Sequence, residues 1–138
     1  MSRVISIDGP GKVRNRHRRT IAEALRRLSQ KPQLDDEAKD LTALIVLSLH
    51  GMADTVDRTT DAWEKREYFL KAERFREQWR WLEPTADELS GVIHAGQWDQ
   101  LPSVLAGLMP HFADIRIKQI TRKPALWQGA YKRFMQED

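Results

Sequence analysis

Cysteine is absent from all 138 residues, which excludes a disulfide scaffold, a thiolate zinc site and a thiol nucleophile together. Long hydrophobic runs are absent as well. The most apolar stretch, residues 43–49, is interrupted by Ser48 and followed by His50 and Gly51, well short of the ~20 residues that a bilayer span needs. Near the start, the short apolar run Val4-Ile5-Ser6-Ile7 is cut off by Asp8, too brief for a signal-peptide core. These absences predict a cytoplasmic protein with no membrane association.

Catalytic signatures are scarce too. No G-x-S-x-G elbow and no HEXXH occurs, and the residues three before the four histidines are Arg14, Leu47, Gly91 and Leu108, so the E-x-x-H of carboxylate-bridged metal bundles is missing. Gly9-Pro10-Gly11-Lys12, after an apolar run, has the outline of a phosphate-binding loop. Only one residue separates its glycines, however, and Val13 stands where the Mg²⁺-binding hydroxyl is needed. The expectation is a non-enzymatic protein that needs no cofactor.

What the chain does have is 41% hydrophobic and 31% charged residues, the balance of a folded domain rather than a disordered tail. At this length about 68% of the unfolded surface can be buried, enough for one core without staples. Residues 1–138 are therefore read as a single helical domain. The net charge of +3 conceals a segregation: residues 1–32 hold nine Lys/Arg against two acids, residues 33–114 eight against sixteen, and residues 115–138 six against two. A basic head and tail bracket an acidic middle.

Periodicity predicts an all-α fold, a compact bundle of four to six helices with basic terminal segments. Thr20-x-x-Glu23 reads as a capping box opening a helix whose stripe is Ile21, Ala24, Leu25 and Leu28, with Val13 and His17 extending that stripe backwards. Residues 1–19 ahead of it read as a basic, flexible arm. Asp35-Asp36-Glu37 opens a central helix over 35–58, apolar around most of its circumference, with Ala38, Leu41, Ile45, Leu49, Met52 and Val56 in one seam. Thr59-Thr60-Asp61 is read as the cap of a second long helix, 61–83, carrying Tyr68, Ala72, Phe75, Trp79 and Leu82 and ending before Pro84. The two make a long central hairpin.

A short αα-hairpin over 86–109 follows, with Thr85-x-x-Glu88 opening its first helix, Gly96 closing it and Asp99 capping the next. Residues 111–122 read as helix, in competition with the strand-like alternation Ile115-Arg116-Ile117-Lys118, which could pair with residues 3–7 as a small ribbon. Pro124 opens a last helix.

Three sets of residues are candidates for function. Lys12, Arg14, Arg16, Arg18 and Arg19, with Arg26 and Arg27 further along, could neutralise successive phosphates of a nucleic acid; the competing use of these charges is pairing with the acidic middle or with a partner subunit. Trp79 and Trp81 point about 200° apart on a helix, so the five tryptophans cannot share one seam. Trp81, Trp98, Trp127, Tyr131 and Phe134 are accordingly candidates for a protein interface. His50 and Asp54, one turn apart, could hold a metal with glutamates of the 61–83 segment. The leading expectation is a helical interaction or regulatory protein that self-associates, as a homodimer or small homo-oligomer, or binds another protein. A nucleic-acid binder using the arm, and a small-molecule or metal-binding bundle, are the alternatives.

Overall fold

The computed structural model describes residues 8–136. Among these the regular structure is entirely helical: α1 (Pro10–Ser29), α2 (Asp36–Lys65), α3 (Phe69–Gln78), α4 (Leu82–Ala95), α5 (Leu101–Leu108) and α6 (Ala130–Gln136), with single 3-10 turns at Trp98–Gln100, Met109–Phe112 and Pro124–Leu126.

Helix α1 begins ten residues before the predicted capping box. Gly9 precedes it in extended geometry and Pro10 occupies its first turn, where the missing N–H costs nothing and the fixed φ suits the helix. Residues 10–19 are thus helix rather than arm, as the backward stripe of Val13 and His17 allowed. Thr20 lies mid-helix, its hydroxyl donating to the Arg16 carbonyl at 3.0 Å.

Helix α2 starts where its acids indicate, with the Asp35 carboxylate accepting the Ala38 N–H at 2.8 Å. The expected break at Thr59-Thr60-Asp61 does not occur. The Thr60 hydroxyl bonds back to the Val56 and Asp57 carbonyls at 3.1 Å, a use of threonine that keeps it within a helix, and α2 runs for 30 residues. The chain reverses instead at residues 66–68. There the Tyr68 N–H donates to the Trp63 carbonyl and the Glu67 N–H to the Glu64 carbonyl, both at 2.9 Å, with Glu67 at φ 64°. This is a Schellman closure with a glutamate where glycine is usual.

The predicted 61–83 helix is therefore split between the end of α2, α3 and the turn at 79–81. Pro84 does not stop a helix but sits in the first turn of α4, where no intrahelical donor is lost. Thr85 lies inside α4 as well. Gly96, at φ 66°, closes α4 as expected, with the Gln97 N–H reaching the Val92 carbonyl at 3.0 Å. Asp99 falls in the 3-10 turn rather than at the cap of α5, which is Gln100. Past Phe112 the predicted helix over 111–122 is absent: residues 113–123 follow an irregular path, and no strand occurs among the described residues. The ribbon's other half, residues 3–7, lies outside them.

Helix α2 touches α1, α3, α4 and α6. Residues 41–46 are buried without interruption, as a helix in the middle of a bundle must be. Leu41, Ile45, Leu49 and Met52 are at most 1% exposed, each worth about 2 kcal/mol of transfer free energy. Where α1 crosses α2 the approach is tight: a Cβ on Gly51 would lie 2.4 Å from His17 Nε2.

Candidate functional site

The cations of α1 turn toward their own chain. Lys12 pairs with Asp8 at 3.4 Å, and Arg16 pairs with the same carboxylate. Arg14 donates to the hydroxyls of Thr55 and Thr59 at 3.2 and 3.4 Å and lies over the rings of Phe75 and Trp79; burial draws its pKa below the ordinary arginine value. Arg27 bonds Glu37 at 3.1 Å and covers Trp127.

The remaining cations hold the irregular segment 113–123 and the turn before it. Arg18 clasps both oxygens of Asp114 at 2.6 and 3.1 Å and donates to the His111 carbonyl. Arg26 reaches the Ile117 carbonyl and Arg19 the Gln119 carbonyl, each at 2.9 Å. Returning bonds come from Arg122, to the Thr20 hydroxyl and the Arg16 carbonyl. Backbone groups that no helix or sheet satisfies are paired by side chains.

Glu23 anchors this strap. It is 2% exposed and accepts the Thr121 N–H, the Thr121 hydroxyl and the Arg122 N–H at 2.6, 2.6 and 2.8 Å, with Arg19 at 2.7 Å. Burial alone would raise its pKa. The Arg122 N–H, the Arg19 guanidinium and the Thr121 donors outweigh burial and bring it to about 2. The position expected to cap a helix is instead the acceptor that ties residues 121 and 122 to α1. Its one sequence signal is a lone acid within a basic helix, in step with Arg19 and Arg26.

Four of the five expected interface aromatics stack within the chain. Trp81 lies flat on His111 with centroids 3.7 Å apart and edge-on to Phe112. Trp98 leans on Tyr131 beneath Lys39, and Phe134 stacks on His94. The fifth, Trp127, is 3% exposed in the core. Trp63, Phe75 and Trp79 extend the Trp81 contacts into a continuous run of rings. His50 and Asp54 are both exposed, and among the described residues no group of three or more His, Asp or Glu is placed to hold a metal ion.

Two apolar features face outward, and of the residues that form them only Trp98 was among the interface candidates read from the sequence. The first is a groove of about 340 Å³ between the end of α1, the α1–α2 loop and α5, lined among others by Leu28, Leu34, Ala38, Trp98, Leu105 and Met109. The second is the α2–α3 turn, where Tyr68, Phe69 and Leu70 are 49%, 59% and 64% exposed. A larger cleft between α2 and α3–α4 has a charged rim on which Arg80 pairs with Glu77, while Arg76 pairs with Glu64. No helix among the described residues is long and apolar enough to cross a membrane. Comparison with protein-family models, with curated proteins and with solved structures finds no match to this chain.

Proposed function

We propose that this chain is a non-enzymatic interaction protein of the cytoplasm, a helical adaptor that acts by offering apolar surface to a protein partner, in the first place a second copy of itself. One observation carries the reading: the α1–α5 groove lies open, with Leu34 and Met109 at its edges 42% and 45% exposed. Concave apolar surface of this size is the usual form of a binding site. The engagement of Arg14, Arg18, Arg19, Arg26 and Arg27 within the chain supports the same reading. Donors that a nucleic acid would need already serve hydroxyls, carboxylates and carbonyls.

Sedimentation velocity over a wide concentration range tests the proposal. The weight-average mass is expected to rise above the 16.1 kDa of one chain as concentration increases. A mass that stays at one chain throughout overturns self-association.

A further inference from the structure

We propose that the strap, together with the face of α1 that it crosses, binds the phosphate backbone of a duplex nucleic acid, by net charge and without regard to sequence. The inference goes beyond the reading above and does not depend on self-association.

Charge is the first argument. Arg18, Arg19 and Arg26 of α1 bond to the strap or the turn before it, and the strap adds Arg116, Lys118, Arg122 and Lys123. The acids among these elements' contacts are Glu23 and Asp114. Seven cations thus share a surface with two carboxylates, an excess of five on a chain whose whole net charge is +3. The stitching does not remove this excess. Arg19 and Arg26 donate to the carbonyls of Gln119 and Ile117, neutral acceptors that occupy a donor and leave the charge in place. Arg26, Arg116, Lys118 and Lys123 are all exposed, and none forms an ion pair among the described residues.

Arrangement is the second. Ile115-Arg116-Ile117-Lys118 builds no strand, yet its alternation is put to use: Ile115 and Ile117 are half-buried against the core, while Arg116 and Lys118 are exposed. Arg26 and Arg116 line one depression beside them, so helix and strap present charge together. From Arg18 to Arg26 the row on α1 is about 12 Å long at 1.5 Å per residue. A duplex carries one negative charge for every ~1.7 Å of its axis, so several phosphates come within reach of this face at once.

What the face lacks identifies the class of anion. Neither α1 nor residues 113–123 contain Phe, Tyr or Trp, so no ring is offered for stacking on the bases of a single strand. Of their large apolar side chains only Ile120, at 37%, is exposed. That leaves neither the apolar centre of a protein interface nor the apolar face that enters a membrane surface. Donors of Arg18, Arg19 and Arg26 are engaged within the chain, which removes the free forks that read base edges. A polyanion held by counterion release needs none of these, only uncancelled charge.

Fluorescence anisotropy of a labelled DNA duplex of mixed sequence, titrated with the full chain, tests the inference. With four uncancelled cations, affinity is expected to fall about a hundredfold between about 50 and 200 mM salt. Arg116→Gln with Lys118→Gln and Lys123→Gln removes three of these charges at exposed side chains that make no hydrogen bond among the described residues. That variant is expected to bind more weakly at the lower salt and to lose only about fourfold over the same interval. Lys65→Gln with Lys71→Gln and Arg74→Gln takes the same charge from exposed positions at the α2–α3 reversal and is expected to bind like wild type; circular dichroism verifies that both variants fold. A wild type that fails to bind at about 50 mM salt with about 100 μM protein overturns the inference. So do two triple variants that lose affinity equally, since binding then follows net charge and not this face. A single strand bound more tightly than the duplex overturns the choice of duplex, and polyglutamate that displaces the duplex charge for charge overturns nucleic acid in favour of an acidic protein segment.

Discussion

Glu23 shows how much one side chain can organise. Its carboxylate accepts four hydrogen bonds at 2% exposure, and its pKa of about 2 against an ordinary 4.5 is a stability statement. Because the folded value is depressed, the contribution is complete above pH 4.5 and is lost as pH falls from there toward 2. The size is about 3 kcal/mol. Urea denaturation at neutral pH is expected to show Glu23→Gln less stable by about 2–3 kcal/mol, with most of the difference gone near pH 2. Burial, and secondarily the Arg16 charge, also hold His17 below the ordinary histidine pKa, so stability begins to fall as pH drops below 6.5. The same histidine constrains Gly51. Alanine is the better helix former by about 1 kcal/mol, yet its Cβ would overlap the ring at 2.4 Å. Gly51→Ala is expected to cost about 1 kcal/mol in wild type and to become stabilising by a similar amount in a His17→Ala background, with thermal melts as the measure. Beyond a lone acid in a basic helix, little of this could be read from the sequence. Thr20-x-x-Glu23 has the same letters at a helix start and in its interior, and only Thr121 and Arg122, nearly a hundred residues away, decide which it is.

At the scale of elements, the legible features were those set by local periodicity and caps. The all-helical content, the start of α2 at Asp35, its buried middle and the Gly96 closure follow from apolar spacing, a short acidic cap and a glycine free to take positive φ. The illegible ones depended on alternatives that local chemistry leaves open. Threonines at 59 and 60 cap a helix or bond back into it, and Arg14 donates to Thr59 from another helix. The reversal that does occur uses Glu67, a residue with no intrinsic taste for φ 64°. A glutamate in that region is strained by about 1–2 kcal/mol, so Glu67→Gly is expected to stabilise the protein by about 1 kcal/mol. Chemical denaturation measures it, and an unchanged midpoint would show the closure to be relaxed already. Residues 113–123 escaped prediction because their backbone partners are side chains of α1, which no pattern within the segment encodes.

For the molecule as a whole, the segregation of charge along the sequence translates into internal stitching more than into a charged face. Arginines of the basic head meet carbonyls and acids near its basic tail, and the acidic middle supplies Glu37 to Arg27 and Asp40 to the backbone N–H groups of Gly129 and Tyr131. The interface aromatics expected from composition are largely used inside, while the exposed large apolar side chains include Leu34, Leu47, Met109, Leu126 and residues 68–70, positions with no compositional signal. The strap has one more consequence. Residues 113–123 contain three bonds that trypsin recognises, after Arg116, Lys118 and Arg122, Lys123 being followed by Pro124, in a stretch with neither helix nor sheet. A protease must lift a segment of chain into its cleft, and here α1 grips that segment from Asp114 to Arg122. Wild type should thus resist nicking there at neutral pH, whereas Glu23→Gln should be cut early, with mass spectrometry locating the first scission: the arginines that look like an invitation to digestion are guarded by a single carboxylate.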